Sequence, residues 1–497
     1  MANDEHVYLE QDETDPRDSV MLSTKEAAER LGVSTARIRQ LIGNNQVSAQ
    51  RCGKSWLIEQ DSLDAYAASA KVGRPARDSA RARVRAARKE PASYVLMNRH
   101  FEVAECAYDP LEGRFTKVRI LDGSRVPFAL LSYRAKDNLC AALNEWWGSR
   151  GIPDFRPDLE ERLRELGLRS AFELPFASMG LSLSDLYWLR PTGSALTWDD
   201  VNFFRNDFDL GPVGEGGRPA SSVGPWMNAV GLNNPDNTTD GQLRKRWLVD
   251  GEGQRVLVKG NSDGGRQVYN EVIATMLYRR LLPSWRYVEY RLRSWRGQDV
   301  CVCPNFLRDD EEFIPAWYVL RLNKKSNQHN AYRHYCETCD QLGVAGVEGQ
   351  LMRMLVCDSL LANEDRHWGN FGIVRNVRTL EYRVAPIFDT GDSLWVRKPL
   401  RDLVAGDYSF ETRPFSPNPR KQLDMVIDAS WYNPAELDGF VEQVRGFLDK
   451  VIGGADPTDA VCRGLQERID QVNAWARRQP QIRCTPEQAE KLEWVWL

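Results

Sequence analysis

The stretch that most limits what this chain can become is residues 360–395, LLANEDRHWGNFGIVRNVRTLEYRVAPIFDTGDSLW, where three polar residues stand in fixed order between apolar runs. Before it, Leu351, Met354, Leu355 and Leu361 recur at helical spacing, and within it Phe371, Ile373, Tyr382, Val384 and Ile387 read as strands. Asp365, Asn370 and Asp389 then fall in loops at element ends, where a rigid scaffold usually carries its chemistry. An Asp, an Asn five residues on and a second Asp beyond a short hairpin suit phosphoryl transfer, with one base toward an acceptor hydroxyl and two oxygen ligands for Mg²⁺. Taken singly, Asp365 and Asp389 read as helix or turn caps. The spaced trio, joined by a lysine upstream, favours the chemical reading.

A chain of 497 residues, 42% hydrophobic and 10% aromatic, has material for two to four packed domains. It contains no run of 18 apolar residues, and its first residues, MANDEHVYLEQDETD, are acidic where an export signal is basic and then apolar. A soluble, cytoplasmic protein of bacterial or phage origin, with no membrane partner, is therefore expected. Its 10 Cys follow no framework of spacings, which fits reduced buried thiols. The net charge of −4 hides an asymmetry: residues 1–20 carry −6, whereas residues 21–91 carry +7. A basic module inside an acidic protein points to local binding of a polyanion.

After the acidic tail, expected to be disordered over 1–20, comes a helix carrying Ala27, Ala28 and Leu31, with Ser23 or Thr24 as its cap and Gly32 as its stop. Ser34 caps a second helix over 35–42, whose Ile38, Leu41 and Ile42 turn inward. Residues 47–58 alternate like a hairpin around Cys52-Gly53-Lys54, and Asp61 caps a third helix. Two short helices across a glycine turn, followed by a wing, make a winged helix-turn-helix over 21–70. Its DNA-contacting candidates are Thr35, Arg37, Arg39 and Gln40 on the second helix, with Arg51 and Lys54 on the wing. This stretch resembles the excisionase and MerR-type DNA-binding domains. The basic linker 71–91 contains Gly73-Arg74-Pro75 and Arg77, which read equally as a minor-groove hook or as part of a solvated helix.

Residues 92–175 read as a β-rich connector: a meander over 94–131 with turns at Asp109-Pro110 and Asp122-Gly123, then helices over 135–147 and 159–166. The aromatic-rich line that follows reads as packing between domains, and 211–237 as a flexible stretch. Beyond it, strands over 243–249 and 255–260 end in Lys259, an inward lysine that needs an anion, which ATP phosphates would supply. Glu271, twelve residues on in an amphipathic helix, is placed to hold Lys259 straight. Strands over 288–292 and 300–306 lead to a hinge position, where backbone groups at Asn305 and Phe306 would pair with adenine. Helices over 431–452 and 457–478 complete a helical lobe. His329, His334, Cys336 and Cys339 lie close in sequence, and read as one amphipathic helix rather than a zinc site.

From about residue 180 onward the motifs SLSDLYW, TTDGQLRKRW, VLVKG with NEVIA, CPNF, NEDRHWGNFG and APIFDTGDS resemble the HipA family of bacterial serine/threonine kinases, and its CtkA-like members in particular. The resemblance implies Asp365 as catalytic base, Asn370 and Asp389 as Mg²⁺ ligands, Lys259 on the ATP phosphates and Glu271 as its anchor. It implies Thr238, Thr239 and Gly241 in the phosphate loop, with Thr238 and Thr239 as autophosphorylation sites. Three positions depart from the wider kinase pattern: Asp-Thr-Gly at the metal motif, Pro304 at the hinge, and a single glycine in the phosphate loop.

The expected class is α+β: a two-lobed protein-kinase-like fold, its N-lobe at 176–320 and helical C-lobe at 321–497, preceded by the winged helix-turn-helix and the connector. The expected activity is an ATP- and Mg²⁺-dependent protein serine/threonine kinase fused to its own DNA-binding domain, as an autoregulated toxin, defence or regulatory kinase. Its expected partners are DNA, a protein substrate such as a translation component, and a second copy of the chain in a homodimer. Two alternatives stay open: a DNA-binding regulator or excisionase-like factor with a catalytically inactive kinase fold, and a small-molecule phosphotransferase.

Overall fold

The computed structural model describes residues 21–31, 33, 35–43, 46–52, 55–69, 92–151, 163–164, 168, 170–206, 208, 235–238, 245–262, 265–295, 297–452 and 455–479. The chain divides into two compact units, Met1–Arg83 and Val84–Leu497. The class is α+β.

In the smaller unit, β1 (Met21–Ser23) leads directly into α1 (Thr24–Leu31), followed by α2 (Thr35–Gly43). A capping box starts α1: the Ser23 hydroxyl accepts from the Glu26 N–H at 3.3 Å, and the Glu26 carboxylate accepts from the Ser23 N–H at 2.8 Å. Strands β2 (Ala49–Cys52) and β3 (Ser55–Glu59) form the wing hairpin, β1 adds to its other side in the order β1-β3-β2, and α3 (Gln60–Ser69) follows. Asp61 therefore lies in the first turn of α3 rather than at its cap. Ala27, Ala28, Ile38, Leu41, Ile58 and Leu63 close a small core.

The larger unit opens with the expected meander, β4 (Ala92–Asn98), β5 (Phe101–Asp109) and β6 (Arg114–Ile120). Its sheet has the order β6-β5-β4-β7, and the fourth strand, β7 (Tyr187–Pro191), comes from beyond the expected boundary at 175/176. The connector is thus one sheet with the start of the next segment. Helix α4 (Leu139–Gly148) packs on β6, and begins later than expected because the Asn138 side chain caps it, accepting from the Ala141 N–H at 2.9 Å. The expected helix over 159–166 falls largely outside the described residues, as does nearly all of 211–237.

A second antiparallel sheet, in the order β10-β11-β9-β8, is built from β8 (Lys245–Val249), β9 (Arg255–Lys259), β10 (Arg291–Trp295) and β11 (Gln298–Pro304). Helix α5 (Gln267–Leu281) packs against β10 and β11. The strand expected over 288–292 starts only at Arg291, because the backbone before it bonds elsewhere: Val288 N–H to Ile387 O at 2.8 Å and Tyr290 N–H to the Thr275 hydroxyl at 3.0 Å. A third sheet, β12 (Glu311–Pro315), β13 (Gly372–Asn376) and β14 (Tyr382–Val384), lies beside α6 (Ala331–Gln341) and the buried α7 (Val347–Leu360). The helix expected over 431–452 is cut short: Pro434 starts a 3₁₀ turn, Gly439 adopts φ +71°, and only then does α8 (Phe440–Val451) run, followed by α9 (Ala455–Ala476).

A buried ion pair within the third sheet, Glu312 on β12 with Arg375 on β13, is hydrogen-bonded to the first. Arg375 on β13 donates to the Glu312 carboxylate at 2.8 Å, to Ser124 O at 2.8 Å and to the Tyr187 hydroxyl at 2.7 Å, and the Asn98 amide donates to the other Glu312 oxygen at 2.9 Å. An unpaired guanidinium there has no route to water. Glu312→Ala is therefore expected to cost about 3–5 kcal/mol of stability, read from denaturant melts. Replacing Glu312 and Arg375 together by apolar residues should restore much of the loss.

Candidate active site

Strand β9 carries Lys259 inward at its last position, where its side chain is almost wholly buried. Its Nζ donates to Glu271 Oε1 at 2.8 Å, to Asp389 Oδ1 at 2.6 Å and to the Tyr290 hydroxyl at 3.1 Å. Burial alone would discharge the ammonium, but the adjacent Asp389 and Glu271 charges more than offset this and hold Lys259 well above the ordinary lysine value. Asp389 moves the other way: burial would raise it, yet Lys259 and Lys245 pull it far below the usual carboxylate range. Glu271, raised by desolvation and partly compensated by Lys259, also accepts the Thr390 N–H at 2.9 Å. One carboxylate thereby fixes both the lysine and the loop behind Asp389.

Asp389 itself has φ +56°, a backbone state that side chains other than glycine adopt at a cost. Its neighbours hold it there. Asn270 on α5 donates to Gly391 O at 2.9 Å and to Ser393 O at 2.7 Å, and a Cβ on Gly391 would sit 3.1 Å from Gln267 O. Any larger residue there would push loop and helix apart by a few tenths of an ångström.

The loop after α7 is held by Arg366, whose side chain has no exposure. It pairs with Asp358 at 2.9 Å and donates to Asn370 O at 2.9 Å, Thr390 Oγ at 3.0 Å and Phe388 O. A single guanidinium thus ties the Asp365–Asn370 loop to the Asp389 loop. Asp365 is half-buried and its carboxyl is raised by burial, against the lowering effect of His367 and Arg397. Arg413 reaches it at 3.3 Å and Arg397 at 3.5 Å. The Asn370 amide nitrogen donates to Asp365 O at 3.0 Å, which leaves the amide oxygen as the group available to a ligand.

Lys259, Asp365, Asn370 and Asp389 all line one cavity of about 530 Å³, together with Lys245, Thr238, Asn305, Phe306 and His367. Lys245, Tyr290, Arg366, Arg397 and Arg413 were missed in the sequence. Only Lys245 left a trace there, since it pairs with Lys259 across neighbouring strands. Its Nζ lies 3.9 Å from Asp389 Oδ2. The oxygen donors Asp389 and Asn370 suit a hard divalent cation that completes its shell with phosphate and water. Among the described residues no group of three or more His, Cys, Asp or Glu is arranged to hold a metal alone. In the Cys336–Cys339 region, the His334 ring meets Leu320 O at 3.1 Å and His329 pairs with Glu337 at 2.7 Å.

Two of the expected site residues have polar groups engaged within the fold. The Thr238 hydroxyl is buried, and its one proton is shared between Leu181 O at 2.9 Å and Pro235 O at 3.1 Å. The Asn305 N–H is taken by Arg255 O at 2.9 Å and its side-chain amide by Leu183 O at 2.9 Å, so neither donor is free for adenine. Phe306 instead stacks on Phe388 at 5.5 Å, presenting an aromatic wall. Thr239 and Gly241 lie outside the described residues, as do Lys54, Arg74, Arg77 and the side chains of Arg37, Gln40 and Arg51. On α2, Thr35 and Arg39 are exposed while Ile38, Leu41 and Ile42 are buried, as an outward-reading helix requires.

Replacing Lys259 by Met strands the buried Glu271 carboxylate and takes the nearer of two cations from the partly buried Asp389. It is expected to lower stability by about 3 kcal/mol or more, with part of that recovered when Glu271→Gln is added, as measured by denaturant melts of the single and double variants.

The Helix-turn-helix domain family matches residues 21–71. Over 42 residues, 8% of this chain, the sequence is 52% identical to the serine/threonine-protein kinase CtkA of Helicobacter pylori, and the match spans 13% of that relative's length. The crystal structure of a Helicobacter pylori proinflammatory kinase CtkA superposes with a TM-score of 0.36 at 17% identity, over 47% of this chain and 94% of that one. No helix among the described residues is long and apolar enough to cross a membrane. Residues 21–71 are thus a helix-turn-helix domain, in a chain similar over a short stretch to a serine/threonine kinase.

Proposed function

We propose that this chain is a protein serine/threonine kinase that transfers the γ-phosphoryl group of ATP and is fused to its own DNA-binding domain. The carrying observation is Lys259 bridging Glu271 and Asp389 in the cavity that Asp365 and Asn370 also line. Asn370 and Asp389 would hold Mg²⁺, which when bound neutralises charge on the phosphates. Lys259 and Lys245 supply fixed positive charge for phosphate oxygens, already desolvated and oriented. Asp365 takes the proton of the acceptor hydroxyl, and Arg397 and Arg413 favour its ionised form. Phe306 and Phe388 offer apolar faces to a base.

The N-terminal domain reads DNA through Thr35, Arg37, Arg39 and Gln40, with Arg51 and Lys54 on phosphates, and Arg74 and Arg77 in the linker extending the positive track. A cytoplasmic regulatory, defence or toxin kinase that controls itself by autophosphorylation fits a single chain holding both parts, with a translation component as one candidate substrate and a homodimer as the DNA-bound form. Thr239 is the autophosphorylation site this reading favours, because the neighbouring Thr238 hydroxyl is committed.

Incubation with ATP and Mg²⁺ followed by mass spectrometry should find phosphate on the protein, at Thr239 and not at Thr238. Asp365→Ala should cut incorporation by roughly 10²–10⁴-fold, and wild-type protein that never incorporates phosphate, on itself or a partner, would sink the kinase reading. Separately, Arg39→Ala should weaken specific DNA binding by about 1–3 kcal/mol in an anisotropy titration.

A further inference from the structure

Two guanidiniums stand on the Asp365 carboxylate, and they differ in what else they meet. Arg397 reaches Asp365 Oδ2 at 3.5 Å but pairs more closely with Asp392 Oδ2, at 2.6 Å, and it does not line the catalytic cavity. Arg413 does line it. Its Nη1 lies 3.3 Å from Asp365 Oδ1, the one hydrogen bond or ion pair of its side chain among the described residues, while a guanidinium carries five N–H donors in a rigid fork.

The backbone of Arg413 is held while its head group stays open. Its carbonyl accepts from Gln422 Nε2 at 2.8 Å, and the buried Gln422 takes the Phe415 N–H on its Oε1 at 3.0 Å. The Thr412 hydroxyl donates to Ser416 O at 2.9 Å, closing the turn. The Phe415 ring packs on Trp368 at 5.1 Å and on Phe371 at 6.1 Å, which flank Asn370 in the loop that carries Asp365. The turn is thus seated on the base loop, and from it the Arg413 side chain, 59% exposed, reaches the carboxylate.

We propose that Arg413 is a further catalytic residue, whose guanidinium binds the phosphoryl group during transfer; the assignment rests on the kinase reading above. In that reaction the acceptor oxygen bonds to the γ-phosphorus as its proton passes to Asp365. The bond from phosphorus to the β–γ bridging oxygen breaks, and its electron pair leaves with ADP. An acceptor hydroxyl about 3 Å from Asp365 is also beside Arg413, and charge on the phosphoryl group is spread over three equatorial oxygens as it meets that hydroxyl. Among the described Lys and Arg side chains that line the cavity, Arg413 alone pairs with Asp365. Lys259 and Lys245 stand on Asp389, and Arg150 on Asp185. The lysines therefore serve the metal loop, and Arg413 serves the acceptor end of the same cavity.

Full-length protein carrying Arg413→Gln tests this. Wild type should transfer phosphate from ATP, and the variant should lower kcat by about 10²–10³-fold with KM for ATP little changed. Arg413→Lys, which keeps the charge but lacks the fork, should recover only part of the rate, and it takes the place of Arg413→Gln should that variant lose its native circular dichroism. Taking a cation from Asp365 raises its carboxyl, a loss that vanishes once the pH exceeds the new value, whereas the deficit expected here persists on the alkaline plateau. By calorimetry, wild type should bind Mg·ADP with aluminium fluoride, a mimic of the phosphoryl group in transfer, about 10²-fold more tightly than Mg·ADP alone. Arg413→Gln should remove most of that preference and leave Mg·ADP binding as it was. Arg401→Gln, which removes an exposed arginine outside the cavity, should behave as wild type. With an active wild type, an Arg413→Gln kcat equal to it, a deficit cured at high pH, an unchanged aluminium fluoride preference or an equal loss in Arg401→Gln each overturns the assignment and leaves the kinase reading standing. Wild type that binds Mg·ADP yet never transfers phosphate overturns the kinase reading, and the assignment falls with it.

Discussion

One buried ammonium organises the larger unit. Lys259 is nearly sealed from water, and in that position it keeps its charge only because Glu271 and Asp389 stand within hydrogen-bond reach. Strand, helix and loop each bring one member of that triad, so none of the three can shift without exposing an uncompensated charge. The strain at Asp389, with its positive φ, is tolerable for the same reason. A second buried cation, Arg366, repeats the device, joining the Asp365–Asn370 loop to the Asp389 loop through Asp358, Asn370 O and Thr390. Catalytic-type geometry here is held by fixed charges in a dry interior, where electrostatic interactions are strong and rearrangement is costly.

The features legible in the sequence were those written in short-range patterns. Helical spacing gave α7, alternation gave the wing hairpin and the β4–β6 meander, and a cap at Ser23 or Thr24 marked the start of α1. The Lys259–Glu271 pair was legible because a lysine ending an apolar strand demands an anion, and the next helix held a carboxylate on its buried face. What escaped were partnerships between distant residues. Tyr290 meets Lys259, and Arg413 meets Asp365, through folds in the chain that no local periodicity records. The strand expected over 288–292 failed for a related reason: its N–H groups bond to Ile387 and Thr275, tertiary partners that outcompete a sheet neighbour.

Thr238 and Asn305 show the limit from the other side. Both residue types suit the roles their positions suggest, a hydroxyl acceptor and a hinge amide. The Thr238 hydroxyl and the Asn305 side-chain amide donate to carbonyls of the 181–183 stretch, and the Asn305 N–H donates to Arg255 O. A motif states which atoms are available in principle, and the surrounding fold decides which of them are still free.

That same stretch leads into β7, and β7 has a bearing on how the protein is made. Strand β4 sits between β5 and β7, so one of its edges stays unpaired until Tyr187–Pro191 has left the ribosome. At ordinary translation rates that wait is on the order of ten seconds. During it a strand rich in Val, Leu and Met presents open backbone groups to whatever else the nascent chain or a neighbouring polysome offers. The vulnerable moment in this protein's life falls during synthesis, before the Lys259 cavity exists, and it is there that a chaperone would have most to shield.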